Sequence, residues 1–319
     1  MDSLELCAGA GGQALGLERA GFEHRTLVEI DAHACATLRH NRPHWQVHQG
    51  DLAAFDAQGF KGIDLVAGGV PCPPFSKAGK QLGADDERDL FPQAIRVVDE
   101  TRPQAVMLEN VRGLLDAVFV DYRQKIARQL QALGYWTDWH LFNAADFGVC
   151  QLRPRVVFVA VRKELAEHFQ WPEPSLQRPP TVGTLLGDLM AERGWRGVQG
   201  WMQRANDIAP TLVGGSKKHG GPDLGPTRAR QAWASLGVDG KGLADLAPDA
   251  DFVGMPRLTV RMCARVQGFP DEWHFTGKKT PAYRQVGNAF PPPVAHAVSQ
   301  RIAMAIEAGA ASRSKRRVA

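Results

Sequence analysis

Apolar runs of four to ten residues alternate with amphipathic stretches along the first half of the chain. SLEL (3–6) and HRTLVEI (24–30) read as strands around a helical QALGLERA (13–20), and DAHACATLRHN (31–41) follows in helical period. The series continues with apolar IDLVAGG (63–69), amphipathic LFPQAIRVVDET (90–101) and apolar QAVMLEN (104–110). Helix-patterned YRQKIARQLQALG (122–134) and strand-like RPRVVFVAVR (153–162) complete it, and Asp51 in HQGDL sits at the end of a further strand. This βαβα order predicts an α/β fold, a doubly wound and mostly parallel sheet with ligands off the carboxyl ends of its strands.

The rhythm breaks after Lys163. From WPEPSLQRPP to about Pro256 the chain is rich in Gly, Pro, Trp and polar residues, which predicts a smaller unit of loops and short strands. Patterning resumes at RLTVRMCARVQGF (257–269) and closes in helical PPVAHAVSQRIAMAIEAG (292–309). The expected division is one domain of residues 1–163 with 281–319, and a second of 164–280.

Composition narrows the class. No run of about 18 apolar residues occurs, and the start MDSLELCAGAGG lacks a secretory pattern, so a cytoplasmic protein is expected. Five scattered cysteines without a C-x-x-C pair argue against a disulfide framework and a structural metal. The formal charge of +4 equals the four basic residues Arg313, Lys315, Arg316 and Arg317 of the tail, so net charge does not by itself mark a nucleic-acid binder.

Several stretches can carry chemistry. In LELCAGAGGQALGLERAGF a strand leads through Gly9, Gly11 and Gly12 into a helix, a turn that lets a ligand approach the backbone. Glu29 and Asp51 end the next two strands, where such folds meet ribose hydroxyls, so an adenosine-containing cofactor is favoured. MLENVRGLL puts Glu109 and Asn110 at the end of an apolar strand; the carboxyl there is a helix cap or surface acid, or a desolvated proton donor. Arg153 and Arg155 of QLRPR, spaced i and i+2, leave one face of a strand as a fork for carbonyl or phosphate oxygens, or else form salt bridges. GGVPCPPFSKAGK (68–80) fences Cys72 with three prolines, which stiffens the chain around a thiol.

LELCAGAGG, GGVPCPPFS, ENV, QLRPR, RLTVRMCARVQGFP and YRQVGNAFPPPV occur in the order of the motifs of bacterial DNA (cytosine-5)-methyltransferases of the restriction–modification type. The chain resembles that family from residue 3 to about 298, with a gap in the variable middle. The resemblance implies S-adenosylmethionine as donor, with S-adenosylhomocysteine as product, and double-stranded DNA as substrate. Cys72 matches the nucleophile that adds to cytosine carbon 6, and Glu109 the acid at ring N3. Arg153 matches the residue holding the base carbonyl, with Arg155 bracing the site.

Cofactor contacts are implied for Cys7, Ala8, Gly9, Gly11, Gly12, Glu29, Ile30, Asp51, Leu52, Pro71, Leu90, Asn288 and Ala289. Implied DNA contacts are Ser76, Lys80 and Arg88 in a lid-like loop from Pro73 to Asp89, and Thr211, Leu212, Lys217 and Lys218 in APTLVGGSKKHGG. Arg204, Asn206 and Arg228 are base-reading candidates by residue type. Cys7 and Cys150 depart from the phenylalanine and proline more usual there, which bears on cofactor stacking at Cys7. A monomer acting beside a separate cognate endonuclease is expected. The rivals are the tRNA-directed branch, whose typical Cys-Phe-Thr tripeptide does not occur here, a non-catalytic DNA-binding relative, and an NAD enzyme on a similar sheet.

Overall fold

The computed structural model describes residues 1–71, 89–214 and 221–318, the side chains as far as 313. Seven strands form one sheet among the described residues: β1 (Asp2–Leu6), β2 (Glu23–Glu29), β3 (Val47–Gln49), β4 (Leu65–Gly68), β5 (Ala105–Val111), β6 (Tyr135–Asn143) and β7 (Pro154–Arg162). Their order is β3-β2-β1-β4-β5-β7-β6. β1 to β5 run parallel, and β7 lies antiparallel to both β5 and β6. The mixed α/β sheet agrees with the expected class, and the winding reverses between β1 and β4, where a crevice opens at the carboxyl ends.

The strands of the parallel half read as apolar runs because both faces are covered. On one face α1 (Gly12–Arg19) packs with α10 (Pro292–Val318); Leu17, Val294 and Val298 join Leu65, Ala67 and Met107 there. Gly16 is required at that contact, since a Cβ would lie 2.5 Å from that of Ala295. On the other face α3 (Phe91–Thr101) and α4 (Val120–Ala132) set Phe91, Val97, Val98 and Leu130 against Leu4, Leu6 and Val66. β6 escaped the sequence reading: YWTDWHLFN neither alternates nor runs apolar, because this edge strand is mostly half-buried.

The middle of the chain differs from the expected loops and short strands. Among the described residues it carries α5 (Val182–Ala191), α6 (Val198–Arg204), α7 (Thr227–Ser235) and α8 (Val260–Val266), with isolated bridges rather than a sheet. The helical signal was present: Val182, Leu186, Leu189 and Met190 recur at helical spacing and are buried, and Thr181 Oγ1 caps α5 by accepting from Thr184 N–H. One apolar cluster joins these helices to the sheet, with Trp201, Trp233 and Leu258 in the same body as Leu15, Leu27 and Leu38. α9 (Lys279–Asn288) follows, and α2 (Ala32–Asn41), capped by Asp31, packs against it.

His24 in β2 illustrates a buried polar link. Nε2 donates to the Ala14 carbonyl at 3.0 Å, so Nδ1 accepts from Ser3 Oγ at 3.0 Å. Burial lowers its pKa from 6.5 to about 4. A histidine held neutral in the fold takes up protons more readily when unfolded, so stability is lost as pH falls from 6.5 toward 4. The loss is on the order of 3 kcal/mol. Urea midpoints measured across that window will show the decline, and His24→Gln will flatten it.

Candidate functional site

A cleft of about 490 Å³ opens at the carboxyl ends of β1 to β5. The turn after β1 contributes Cys7, Ala8, Gly9 and Gly12; Glu29 and Ile30 follow from β2, and Asp51 and Leu52 from β3. Pro71, Leu90, Asn288 and Ala289 close it. Every residue expected to meet the cofactor therefore lines this cleft except Gly11. Gly11, at φ 88°, instead abuts Trp273, whose Cζ2 would lie 2.7 Å from an added Cβ. Its missing side chain admits the indole, whose Nε1 donates to Ala10 O at 3.0 Å.

The glycine turn is built to leave backbone at the cleft surface. Gly9, at φ 56°, has no heavy atom within 4 Å of a virtual Cβ, whereas a Cβ on Gly12 would lie 2.2 Å from the Phe290 carbonyl oxygen. Glu29 pins the turn, accepting from Gly9 N–H and Asp31 N–H at 2.7 Å each. Asp51 caps the short turn Leu52–Ala54 by accepting from Ala53 N–H at 2.9 Å. Ile30 stands 65% exposed beside these acids, and Leu52 is buried, so the wall is apolar with acids at its edge. Acids and apolar side chains at these strand ends suit a nucleoside. Gly12→Ala is expected to lower the melting temperature, measured by scanning calorimetry, because the carbonyl oxygen an added Cβ would meet belongs to the backbone of Phe290.

Glu109 lies where β5 leaves the sheet core, beside Gly69 and on the same cleft. Its Oε1 pairs with Arg155 Nε at 2.7 Å, and both side chains are largely buried. Burial pushes the Glu109 carboxyl above its ordinary range, while Arg155 and Arg153 pull it back. Asn110 holds the neighbouring loop, its Nδ2 donating to Val70 O at 2.9 Å. Leu90 N–H donates to Pro71 O at 3.1 Å, so the two flanks of residues 72–88 meet at this edge of the cleft. Cys72, Ser76, Lys80 and Arg88, with the expected lid loop apart from Asp89, lie outside the described residues, as do Lys217 and Lys218.

Of the two readings for the arginine pair, a fork or salt bridges, Arg155 takes the salt bridge, with Glu109. Arg153 precedes β7 and is fully buried, donating to the carbonyls of Leu212 (2.7 Å), Gly287 (2.8 Å) and Ala289 (3.1 Å). Through Nη1 and Nη2 it ties the 211–214 loop and the end of α9 to the sheet, while its buried Nε has no partner among the described residues. Arg155 alone faces Glu109. Leu212 is 1% exposed and anchors that loop, so it presents no side chain to a duplex, while Thr211 Oγ1 donates to Leu152 O. Arg204 donates to Ala234 O and Ser235 O, closing the C-terminal turn of α7 rather than standing ready for a base edge.

The four described cysteines are free thiols held in the neutral form. Burial is the first cause in each case: Cys7 is pushed up to about 12 and Cys35 and Cys150 to about 11, and Cys263 rises as well. Carboxylates of Glu29 and Asp51 add to the shift at Cys7, which also sits at a left-handed φ of 52°. Sequence reading missed Glu5, Gln13, Arg284 and Gln285 on the cleft wall. A signal existed for two of them, an acid inside the buried run SLEL and a polar residue directly after the glycine turn.

Three kinds of comparison bear on this geometry. The family model for C-5 cytosine-specific DNA methylase matches residues 1–304. Type II methyltransferase M.NgoMIV of Neisseria gonorrhoeae is 58% identical over 308 residues, covering 96% of this chain and 98% of the relative. M.NaeI of Lentzea aerocolonigenes is 56% identical over 313 residues, covering 96% and 75%. Among solved structures, a protein described as a DNA modification methyltransferase encoded within an E. coli prophage superposes with TM-score 0.68 at 25% identity, covering 96% of this chain and 99% of that one. A Spodoptera frugiperda DNMT2 structure shares the fold at TM-score 0.66 and 17% identity, covering 94% and 99%. No described helix is long and apolar enough to cross a membrane. With a glycine turn, strand-end acids and a buried Glu–Arg pair around one cleft, and with the family model spanning nearly its whole length, the chain belongs to the C-5 cytosine-specific DNA methylase family.

Proposed function

We propose that this enzyme uses S-adenosylmethionine to methylate carbon 5 of a cytosine flipped out of duplex DNA, and that it serves as the modification partner of a type II restriction system. The observation that carries the reading is the Glu109–Arg155 pair opening onto the cleft whose other end bears Glu29, Ile30, Asp51 and Leu52. The cleft fits the donor: its backbone is bare at Gly9, and the buried amide of Gln13 on its wall lacks a partner among the described residues. When bound, the donor supplies an electrophilic methyl group on a sulfonium. Methyltransferases that act on a base inside a duplex extrude it first.

Carbon 5 of cytosine is a poor nucleophile until the ring is made electron-rich. Cys72, next in the chain after Pro71, adds as thiolate to carbon 6. Glu109, kept protonable by burial, gives a proton to ring N3 and so draws electron density from carbon 6 in the same step. Arg155, already oriented by Glu109, holds the base carbonyl; Arg153 acts through the main chain it braces. Carbon 5 then takes the methyl group, its proton leaves to water, the thiolate departs as the ring double bond reforms, and ring N3 returns its proton to Glu109.

Residues 1–163 with 281–319 form the catalytic unit in this reading, and 164–280 the unit that selects the target. The protein works as a monomer in the cytoplasm, with any cognate endonuclease acting separately. Bisulfite sequencing of DNA from a host expressing the chain tests the activity: protected cytosines at one short recurring sequence are expected, and their absence with protein and donor present would refute it.

A further inference from the structure

Three polar side chains are fully buried together where the middle of the chain meets the sheet. Gln151 and Arg153 belong to the segment entering β7, and Gln267 closes α8. Gln151 Oε1 accepts from Leu212 N–H at 2.8 Å, and its Nε2 donates to Gln267 Oε1 at 2.6 Å. Gln267 Nε2 in turn donates to Ala289 O. A main-chain donor at one end and a main-chain acceptor at the other fix both carboxamides, since turning either would set donor against donor or acceptor against acceptor.

The two ends of this relay serve different parts of the molecule. At one end, Ala209 N–H donates to Cys150 O and Leu152 N–H to Ala209 O, which lays the segment leading to Leu212 along the entry to β7. Val213, next after Leu212, is exposed. At the other end, Ala289 lines the cleft, where a Cβ on Gly12 would lie 3.2 Å from its own. A second contact joins the same two places. A Cβ on Gly287 would lie 2.4 Å from Gly214 N, and one on Gly214 would lie 2.6 Å from Asn288 Oδ1. The loop and the end of α9 therefore meet with no side chain between them to take up movement.

We infer that Gln267 is a positioning residue: through Gln151 it holds the 211–214 loop and the Asn288–Ala289 wall of the cleft in one arrangement, so that duplex bound at the loop and donor bound in the cleft each tighten the other. A fully paired buried network is rigid and has few alternative arrangements. Two ligands that favour the same arrangement of one body strengthen each other by equal factors. The inference rests on the DNA-methyltransferase reading and adds to it the side chain that links its two substrates.

Calorimetric titration of the full chain with S-adenosylhomocysteine, alone and with a saturating duplex of the sequence found by bisulfite sequencing, measures the link. The wild type is expected to bind S-adenosylhomocysteine roughly five-fold or more tightly when the duplex is present. Gln267→Met keeps the length of the side chain and orphans neither neighbour, since Ala289 O retains Arg153 Nη2 at 3.1 Å and Gln151 Nε2 retains Val266 O at 3.4 Å. Its affinity for each ligand alone is expected to stay within about two-fold of the wild type, while the gain from the duplex falls below about two-fold. Gln267→Asn, whose shorter carboxamide cannot span Gln151 and Ala289, is expected to lose the gain as well, and it decides the matter if the methionine variant does not fold. An undiminished gain in these variants would overturn the assignment, as would a wild type without any gain. Loss of both solitary affinities with the gain intact would also overturn it, marking a packing role. If the wild type binds neither ligand, the methyltransferase reading itself fails, a result that no Gln267 variant can mimic.

Discussion

Replacing Cys72 by alanine is expected to abolish methyl transfer, with the rate falling roughly 10⁴-fold or more in single-turnover assays on duplex DNA, while DNA binding persists. The reason is chemical: without a nucleophile at carbon 6, carbon 5 has no electron density to offer. The four other thiols cannot substitute. Each is held in its neutral form by burial, and Cys7, the one on the cleft wall, is also repelled as thiolate by Glu29 and Asp51. A duplex with 5-fluorocytosine at the target gives the complementary result. Carbon 5 there carries fluorine, which cannot leave as a proton does, so the wild type will accumulate a covalent adduct visible as a band shift and Cys72→Ala will not. Turnover by Cys72→Ala near the wild-type rate would remove the covalent mechanism.

Glu109→Gln has the second-largest expected effect, a loss of several orders of magnitude in the chemical step with little change in DNA affinity. The amide keeps the shape of the carboxyl but has no acidic proton for ring N3. pH profiles distinguish this from a structural role. Burial raises the Glu109 pKa, so the protonated, active form is present at low pH and is lost as pH rises through that pKa. The wild-type single-turnover rate will therefore carry an alkaline limb from this group that Glu109→Gln lacks. Arg155 opposes the burial effect, so Arg155→Met moves that limb to higher pH as well as weakening the hold on the base. A limb unmoved in Arg155→Met would mean that another group titrates there.

The expectations that survived folding were those set by local chemistry. Strand and helix order in the first half followed hydrophobic period, since a buried parallel strand must read as an apolar run. The cleft-lining residues were legible for a related reason: in an open parallel sheet the strand ends are also the ligand-binding edge, so Gly9, Glu29 and Asp51 could be placed from their offsets. β6 was not legible, because a half-buried edge strand has no obligatory pattern. The helices α5 to α7 were hidden by the Gly, Pro and Trp around them, although the spacing of Val182, Leu186, Leu189 and Met190 was there to be read.

By itself, then, the sequence determined the fold class, the glycine turn with its strand-end acids, and which residue types could add to and protonate a pyrimidine. Only the tertiary structure decided how the shared motifs divide their work. Arg153 and Arg155 are two residues apart and chemically alike, yet one is buried among main-chain carbonyls and the other pairs with Glu109. Gly11 and Gly12 are adjacent, yet one admits an indole and the other a carbonyl oxygen. Gln151 and Gln267 look like incidental polar residues until folding buries them side by side and pairs their carboxamides. The physical reason is common to all three cases: what a side chain does depends on which distant segments pack around it, and those long-range neighbours are not written in the local pattern.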